Sequence, residues 1–381
     1  MTASEDNCVA ASLIDLDHYA TQAGKQFSDE MEAYRHFAAE GQKSDLTPSP
    51  YFYTRWYRWQ RPDSASFPTV LDHFVDQAPK APVDPAPFID SVAVLRSNPQ
   101  WNTALDMLVA LVRRDDQSIS PRLEDHLGAL RRNRERLHNT IKSSILRQEK
   151  GDRRRLVWVQ AGTAFRVRTW FQPDASRSWD LMCNWYALNH LDLRFGEIHL
   201  RQSGTKFTAI HHLLEHCPEL LEPYDQILFI DDDLVFDHED VDRVFEEAEK
   251  HELDLFQPSL APGSYCVWPD LFRKKASGVR LSTGVEIMMP GFTKRALAAC
   301  KGLFKDSVSG FGLDFACSEL VRERGWRCGV VDSASVLHPE EIDEQGGAYY
   351  ELMRNLGINQ KLELYETILR LGNRVPEMRT L

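Results

Sequence analysis

The segment Tyr224–Phe236 constrains this chain most: the apolar run Ile227-Leu-Phe-Ile230 discharges directly into Asp231-Asp232-Asp233. A short apolar run bounded by charge reads as a buried strand. Adjacent carboxylates at its mouth would repel one another and resist desolvation. A divalent cation relieves both costs, because hard oxygen ligands suit Mg²⁺ or Mn²⁺, which usually share them with substrate phosphates. Asp231 and Asp233 stand two apart, so extended backbone points them to one side. Asp233, farther from the strand, is the best-placed direct ligand. Asp231 is a second ligand candidate, suited to a metal-bound water or a ribose hydroxyl, and Asp232 joins it in the nucleotide-binding set. Strand-end carboxylates also cap following helices, a task for which Asp237 is better placed.

From Arg155 onward, short apolar runs alternate with helical segments. Strands are expected at Leu156–Gln160, Trp179–Tyr186, Glu197–Leu200, Ile227–Ile230, Leu253–Gln257, Thr283–Met289 and Cys328–Val331. Helices are expected near Thr208–His216, His238–His251, Thr293–Cys300 and Leu313–Arg324. This alternation predicts an α/β fold with a mostly parallel, Rossmann-like sheet covered on both faces. Ligands in such sheets bind beyond the carboxyl ends of strands, where the aspartates fall.

The preceding region has another texture. Tyr34-Arg-His36-Phe37 is echoed by Leu71-Asp-His73-Phe74, with Tyr19 and Tyr57 upstream of the respective copies. Two copies are too few for a solenoid and predict a small helical module over residues 1–80. The proline-rich run Ala78–Pro87 reads as an extended linker. Leu123, Leu127, Leu130, Leu137, Ile141 and Ile145 recur at helical spacing, so residues 81–150 read as linker and long helix. The catalytic region is then 151–345, with a helical extension over 346–381.

A net charge of −12 argues against a nucleic-acid surface. Basic clusters such as Arg153-Arg154-Arg155 read as solvated surface. The seven cysteines are scattered without a Cys-x-x-Cys pair, as reduced, mostly buried thiols would be. No apolar stretch approaches the roughly 18 residues of a membrane span, and the polar start Met1–Cys8 lacks a leader-like apolar region. The cytoplasm is the expected location, with peripheral membrane association left open.

Other residues carry chemistry. Ser309-Gly-Phe-Gly-Leu-Asp314 opens a helix with glycines that let backbone approach a ligand. Asp314 is the candidate general base, the alternative being a helix cap. Leu337-His338-Pro339 ends an apolar stretch, and His338 could close a metal shell with Asp233 or be purely structural. Glu286 is a charge within the apolar run Val285–Met289, so it is paired or faces a cleft. Lys206 at a helix start could meet a diphosphate or remain solvated. His212-Leu-Leu-Glu215-His216 fits a short zinc-peptidase pattern without an evident third ligand. Phe229–Val235 also fits the start of haloacid-dehalogenase-type phosphatases, with Asp231 as nucleophile and Asp233 handling protons.

Taken in order, Gly204–Phe207, Tyr224–Leu234, Gln257–Ser259, Val285–Phe292, Gly310–Asp314 and Val331–His338 resemble GT-A glycosyltransferases. More narrowly, they resemble a family catalogued only as a domain of unknown function. The repeat is similar to helical segments found beside bacterial polysaccharide glycosyltransferases. The resemblance implies a nucleotide-diphosphate sugar donor, Mn²⁺ or Mg²⁺ at Asp233 and His338, and Asp314 as base in an inverting transfer. It also implies a glycan or lipid-linked glycan acceptor and a role in bacterial surface polysaccharide synthesis. Phe311 stands where related inverting enzymes usually carry Trp. A phosphatase and a non-catalytic nucleotide- or glycan-binding protein are the alternatives.

Overall fold

The computed structural model describes residues 8–149, 151–187, 191–274, 278–374 and 377–381. The polar start over residues 1–7 lies outside the described residues. By contacts the chain forms two units, Met1–Leu130 with Ala348–Leu362, and Arg131–Gly347 with Glu363–Leu381. These bounds differ from the expected divisions at 80, 150 and 345. Residues 81–130 belong with the N-terminal helices: Pro85 O accepts the Tyr53 N–H, and the buried Ser91 hydroxyl bonds Val83 O.

The second unit is a mixed α/β structure around a nine-stranded sheet. Its strands are β1 (Ser143–Gln148), β2 (Arg155–Ala161), β3 (Trp179–Trp185), β4 (Ile198–Gln202) and β5 (Gln226–Asp231), then β6 (Leu253–Leu260), β7 (Val279–Leu281), β8 (Gly291–Thr293) and β9 (Arg327–Val336). They lie in the order β1-β4-β3-β2-β5-β8-β6-β9-β7. Strands β2, β3, β4, β5, β6 and β9 share one direction, while β1, β8 and β7 run antiparallel to their neighbours. Central parallel strands are buried on both faces, which is why β2 and β5 are near-continuous apolar runs. Leu156, Trp158, Ile227 and Phe229 share a core with the helices Lys206–His216, Lys294–Phe304 and Leu313–Glu323. Trp158 and Phe229 meet edge to face at 5.6 Å, and truncating such a ring to Ala costs about 3–5 kcal/mol. The helix His238–Lys250 packs on β6 and β9, with Phe245 against Phe256 at 6.2 Å.

This topology dictates where a ligand can sit. The chain leaves β2 toward β3 and β4, then returns to the other side of β2 as β5. The carboxyl ends of β2 and β5 therefore flank a topological switch point, where the loops diverge and leave a crevice. Gln160 of β2 is in register with Asp231 of β5, so the aspartate run opens into that crevice.

Two expectations are corrected here. The long helix ends at Thr140, and Ile145, half-exposed, belongs to edge strand β1 paired with Leu200. The apolar stretch Thr283–Met289 is not a strand. Its Glu286 N–H is taken by the Gln257 side chain at 2.7 Å, and the Glu286 carboxylate takes the Met288 N–H at 2.7 Å, forming a tight turn before β8.

The first unit is helical, and its repeat has a physical basis. Tyr19 hydroxyl bonds His36 Nδ1 at 2.9 Å, and Tyr57 hydroxyl bonds His73 Nδ1 at 2.7 Å. The rings cross at 68° and 67° respectively, and each tyrosine also meets its own Phe37 or Phe74 edge to face. Each copy thus satisfies the polar tip of a buried Tyr with a His from the next helix.

Candidate active site

The turn after β5 divides its aspartates by partner. Asp232 points away from its neighbours: one of its oxygens accepts the N–H groups of Gly162 at 2.7 Å and Phe165 at 3.2 Å. It thereby pins the loop after β2. Burial, chiefly, then the neighbouring aspartates against these backbone bonds, raises its pKa to about 6. Tyr186, exposed just after β3, meets that loop, its ring so near Gly162 that any side chain there would collide with it. Sequence reasoning missed this pair, although a glycine directly after a buried strand is a signal for close approach.

Asp231 faces the other way. Its carboxylate pairs with Lys206 Nζ at 3.0 Å, while Lys206 also donates to Ile287 O at 2.8 Å and Met288 O at 2.7 Å. All three ammonium protons are engaged, so Lys206 braces the turn 286–288 against Asp231 and has no donor left for a diphosphate while these contacts hold. Thr205 caps its helix through a box with Thr208, placing Lys206 at the first helical position. Burial raises the Asp231 pKa, opposed by Lys206 and reinforced by Asp233.

Asp233 meets His338 across the cleft, Oδ2 to Nε2 at 3.5 Å. The two are brought together by the reciprocal backbone bonds between Val235 and Leu337, at 2.9 and 3.0 Å. The Nδ1–H of His338 donates to Tyr265 O at 2.7 Å, which leaves Nε2 as the atom aimed at Asp233. Burial alone would lower the His338 pKa, but the Asp233 hydrogen bond, the Tyr265 carbonyl and the Asp233 charge together raise it to about 9. Without a metal, the ring thus favours the protonated form beside Asp233, and holding a cation would require it to lose its Nε2 proton. Asp233 Oδ1 is buried and has no hydrogen-bond partner.

Glu286 emerges as a central member rather than a peripheral one. It sits within the electrostatic reach of Asp231, Lys206 and His338, and burial, ahead of these charges, raises its pKa to about 7. Its position depends on Gln257, a fully buried side chain within β6, which the sequence analysis placed in a matching block without giving it a role. Asp314 lies in the first turn of the helix Leu313–Glu323, whose cap position is Gly312, not Asp314. Burial first, and then the charge of Glu286, push Asp314 well above the carboxylate range. Gly310 and Gly312, at φ +89° and +85°, carry the backbone through the left-handed region. A Cβ at Gly310 would fall 2.1 Å from the Phe207 ring, so the loop before Asp314 closes on the Lys206 helix only because this residue is glycine.

The structure thus brings Asp231, Asp233, Glu286, Lys206 and His338 within electrostatic reach of one another, links Asp314 to them through Glu286, and turns Asp232 to the loop after β2. The fit to a divalent cation can be judged from these donors. An orphaned buried oxygen on Asp233, a second carboxylate and an imidazole Nε2 held by a backbone carbonyl form a partial shell of the right chemistry. Among the described residues, no three or more His, Cys, Asp or Glu side chains stand grouped as a ready-made metal site. A cation here would take its remaining ligands from phosphate and water, as Mg²⁺ usually does. Elsewhere, Asp237 caps the helix His238–Lys250. His212 bonds Ser143 Oγ at 3.1 Å, and Glu215 pairs with Lys301.

No known protein family matches the chain, and no curated protein matches it. Among solved structures, the chain is similar to S. aureus TarS 1-349 in complex with UDP-GlcNAc, with a TM-score of 0.33 and 11% identity. That match covers 58% of this chain and 73% of the TarS 1-349 chain. A second structure of S. aureus TarS 1-349 matches with a TM-score of 0.30 and 13% identity over the same shares. A likeness at this level decides nothing about activity.

Proposed function

We propose that this chain is a metal-dependent glycosyltransferase that moves a sugar from a nucleotide-diphosphate donor to a hydroxyl of a glycan or lipid-linked glycan. The observation that carries the reading is the convergence of Asp231, Asp233, Glu286 and Asp314 on one switch-point cleft whose internal cations are Lys206 and His338. The buried, unpartnered oxygen on Asp233 suits Mn²⁺ or Mg²⁺ carrying a diphosphate. When bound, that cation neutralises charge on the departing diphosphate.

The protein's own residues divide the remaining work. Asp233 and His338 would hold the cation with help from Asp231. His338 is kept in register by Tyr265. Lys206 holds Asp231 and the turn 286–288 in place, and Asp232 shapes the loop on which a nucleoside would rest, with the exposed Tyr186 ring as a stacking face. Asp314 would take the proton of the acceptor hydroxyl as its oxygen attacks the anomeric carbon. The bond from that carbon to phosphate oxygen breaks, and its electron pair leaves with the nucleoside diphosphate, inverting the anomeric configuration. General-base catalysis of this kind supplies about 10²–10⁴-fold. The setting we propose is surface polysaccharide synthesis in the bacterial cytoplasm. Among the described residues no helix is long and apolar enough to cross a membrane.

A thermal-shift screen of UDP, GDP, CDP, ADP and CMP, each with Mn²⁺ or EDTA, tests this reading, because a ligand bound by the folded state raises its melting temperature. Stabilisation by one nucleoside diphosphate, dependent on metal and lost in Asp233→Asn, is expected. Turnover of simple phosphomonoesters with a phospho-aspartate at Asp231, and no nucleotide effect, would replace it with the phosphatase reading.

A further inference from the structure

The sequence reads residues 346–381 as a helical extension, but Glu363–Leu381 belong to the second unit. A carboxylate ties them there. Glu363, buried on the helix Gln360–Arg370, accepts the Val308 N–H at 3.0 Å and the Ser309 N–H at 2.8 Å. It also accepts the hydroxyls of Ser309 and, at 3.4 Å, Ser307. Those hydroxyls in turn take the next two N–H groups, Ser307 Oγ that of Gly310 at 2.8 Å and Ser309 Oγ that of Phe311 at 3.1 Å. Every backbone N–H from Val308 to Phe311 thus leads back to one acid, two directly and two through serine hydroxyls. All of these partners donate, so the geometry suits the ionised carboxylate, with Arg134 as its nearby cation at 3.7 Å. Bonds to a charged acceptor are about twice as strong as neutral ones.

The loop so held leads into Asp314. Its Val308 carbonyl accepts the Thr205 hydroxyl at 2.6 Å, and Gly310 meets the Phe207 ring, so the loop is fastened both to the helix Gln360–Arg370 and to the helix that carries Lys206. The first of these also backs the turn itself: a Cβ at Gly312 would fall 2.9 Å from the Thr367 side chain and 3.2 Å from Leu364 Cα. The Leu313 N–H then donates to Gly310 O at 2.9 Å, and Asp314 follows. Asp332, by contrast, spends its charge on the side chain of Arg280, whereas Glu363 spends most of its bonds on this one loop. We infer that Glu363 is a positioning residue: through the backbone of Val308–Phe311 it sets where the Asp314 carboxyl stands, which makes the helix Gln360–Arg370 part of the catalytic apparatus. The inference rests on the glycosyl-transfer reading with Asp314 as base and adds the residue that places that base. A reacting group misplaced by about 1 Å can lose about 10²-fold in rate, so a fixed loop matters more to transfer than to folding.

Carbon-13 NMR of the metal-free full chain, labelled at the aspartate carboxyl carbon, tests it, the Asp314 signal being the one absent from Asp314→Asn. In wild type this carboxyl should titrate well above the ordinary carboxylate range, because it is buried and lies beside Glu286. In Glu363→Gln, an amide nitrogen replaces an oxygen that accepts an N–H. The loop then loosens, water reaches Asp314, and its midpoint should fall by about one pH unit. Ser309→Ala is the milder probe and should move the midpoint in the same direction. Arg280→Ala weakens the same unit at another place and should leave the midpoint unmoved, so lost stability alone does not imitate the effect. With the donor found in the nucleotide screen, Glu363→Gln should lower kcat for transfer by about 10²-fold at unchanged KM for that donor. An Asp314 midpoint that follows Glu363 in a protein with no nucleotide response would uphold the positioning and remove the glycosyl-transfer reading. A midpoint unmoved in folded Glu363→Gln, or in Ser309→Ala should the first variant not fold, would overturn the inference, as would an equal movement in Arg280→Ala.

Discussion

The second unit buries carboxylates in two ways. Asp332, fully buried, receives Arg280 through two bonds at 2.6 and 3.0 Å. Glu363, also buried, accepts the N–H groups of Val308 and Ser309 at 3.0 and 2.8 Å and the Ser309 hydroxyl at 2.5 Å, with Arg134 at 3.7 Å. Those acids have all the partners that burial demands. The acids near β5 are held differently: Asp233 keeps an orphaned oxygen, Glu286 takes the Met288 N–H, and Asp314 meets the backbone N–H groups of Phe315, Gly312 and its own residue. The difference teaches that burial of charge is not itself a mark of function here. The orphaned oxygen of Asp233 is what separates the acids that hold the fold from the site proposed to take a ligand.

The comparison breaks first at Asp314. Asp314→Asn is expected to lower sugar transfer from the donor found in the nucleotide screen by about 10²–10⁴-fold, measured as nucleoside diphosphate release. Nucleotide affinity should stay the same. Retained transfer would move the base assignment elsewhere. The holding acids provide the opposite case. Arg280→Ala leaves Asp332 buried and unpaired, so urea unfolding should show a loss of about 3–5 kcal/mol without a specific effect on the nucleotide response of the folded fraction.

Asp233→Asn is expected to change the stability of the metal-free protein little, since relief of the like charge beside Asp231 offsets loss of the pair with His338. It should forfeit the stabilisation by metal and nucleotide together, about 2.7 kcal/mol at ligand concentrations a hundred times Kd. A large destabilisation of the metal-free protein would place Asp233 among the structural acids.

The smallest expected effect is on pH dependence. Asp232, Glu286 and His338 are raised from 3.8, 4.5 and 6.5 to about 6, 7 and 9 respectively. A group whose pKa is higher in the folded state stabilises fully below its unfolded value and loses that contribution as pH rises through the folded value. The metal-free protein should therefore lose stability progressively between about pH 4 and pH 9, and Glu286→Gln should flatten the segment between 4.5 and about 7. Mn²⁺ protection should grow with pH over the same window, since its ligands must lose protons. A flat profile by chemical denaturation would contradict the crowded-charge description.

Much of this was legible beforehand, for identifiable reasons. A run such as Ile227–Asp231 can hardly be anything but a core strand opening on a site, and Glu286 betrayed itself as a charge in an apolar stretch. The Tyr–His echo in the first unit also carried its own chemistry. Other features depend on partners remote in sequence. The turn at Val285–Met289 looks like a strand because the Gln257 amide that holds Glu286 in a turn belongs to β6. Strand β1 was hidden because Ile145 continues a helical spacing by chance, while its real partner is Leu200. The three-residue strands β7 and β8 are too short to show periodicity. Sequence alone leaves Lys206 open to a diphosphate or to solvent, because its two carbonyl partners lie 81 and 82 residues away.

The central claim is that the acids left unsatisfied at the end of β5 bind a divalent cation together with a nucleoside diphosphate. Isothermal titration of the stabilising diphosphate into wild type and Asp233→Asn, with Mn²⁺ and with EDTA, tests it most directly. The account predicts tight binding only for wild type with Mn²⁺, and weak or undetectable binding in the other three titrations. Equal affinity in EDTA, or in Asp233→Asn with Mn²⁺, would contradict it.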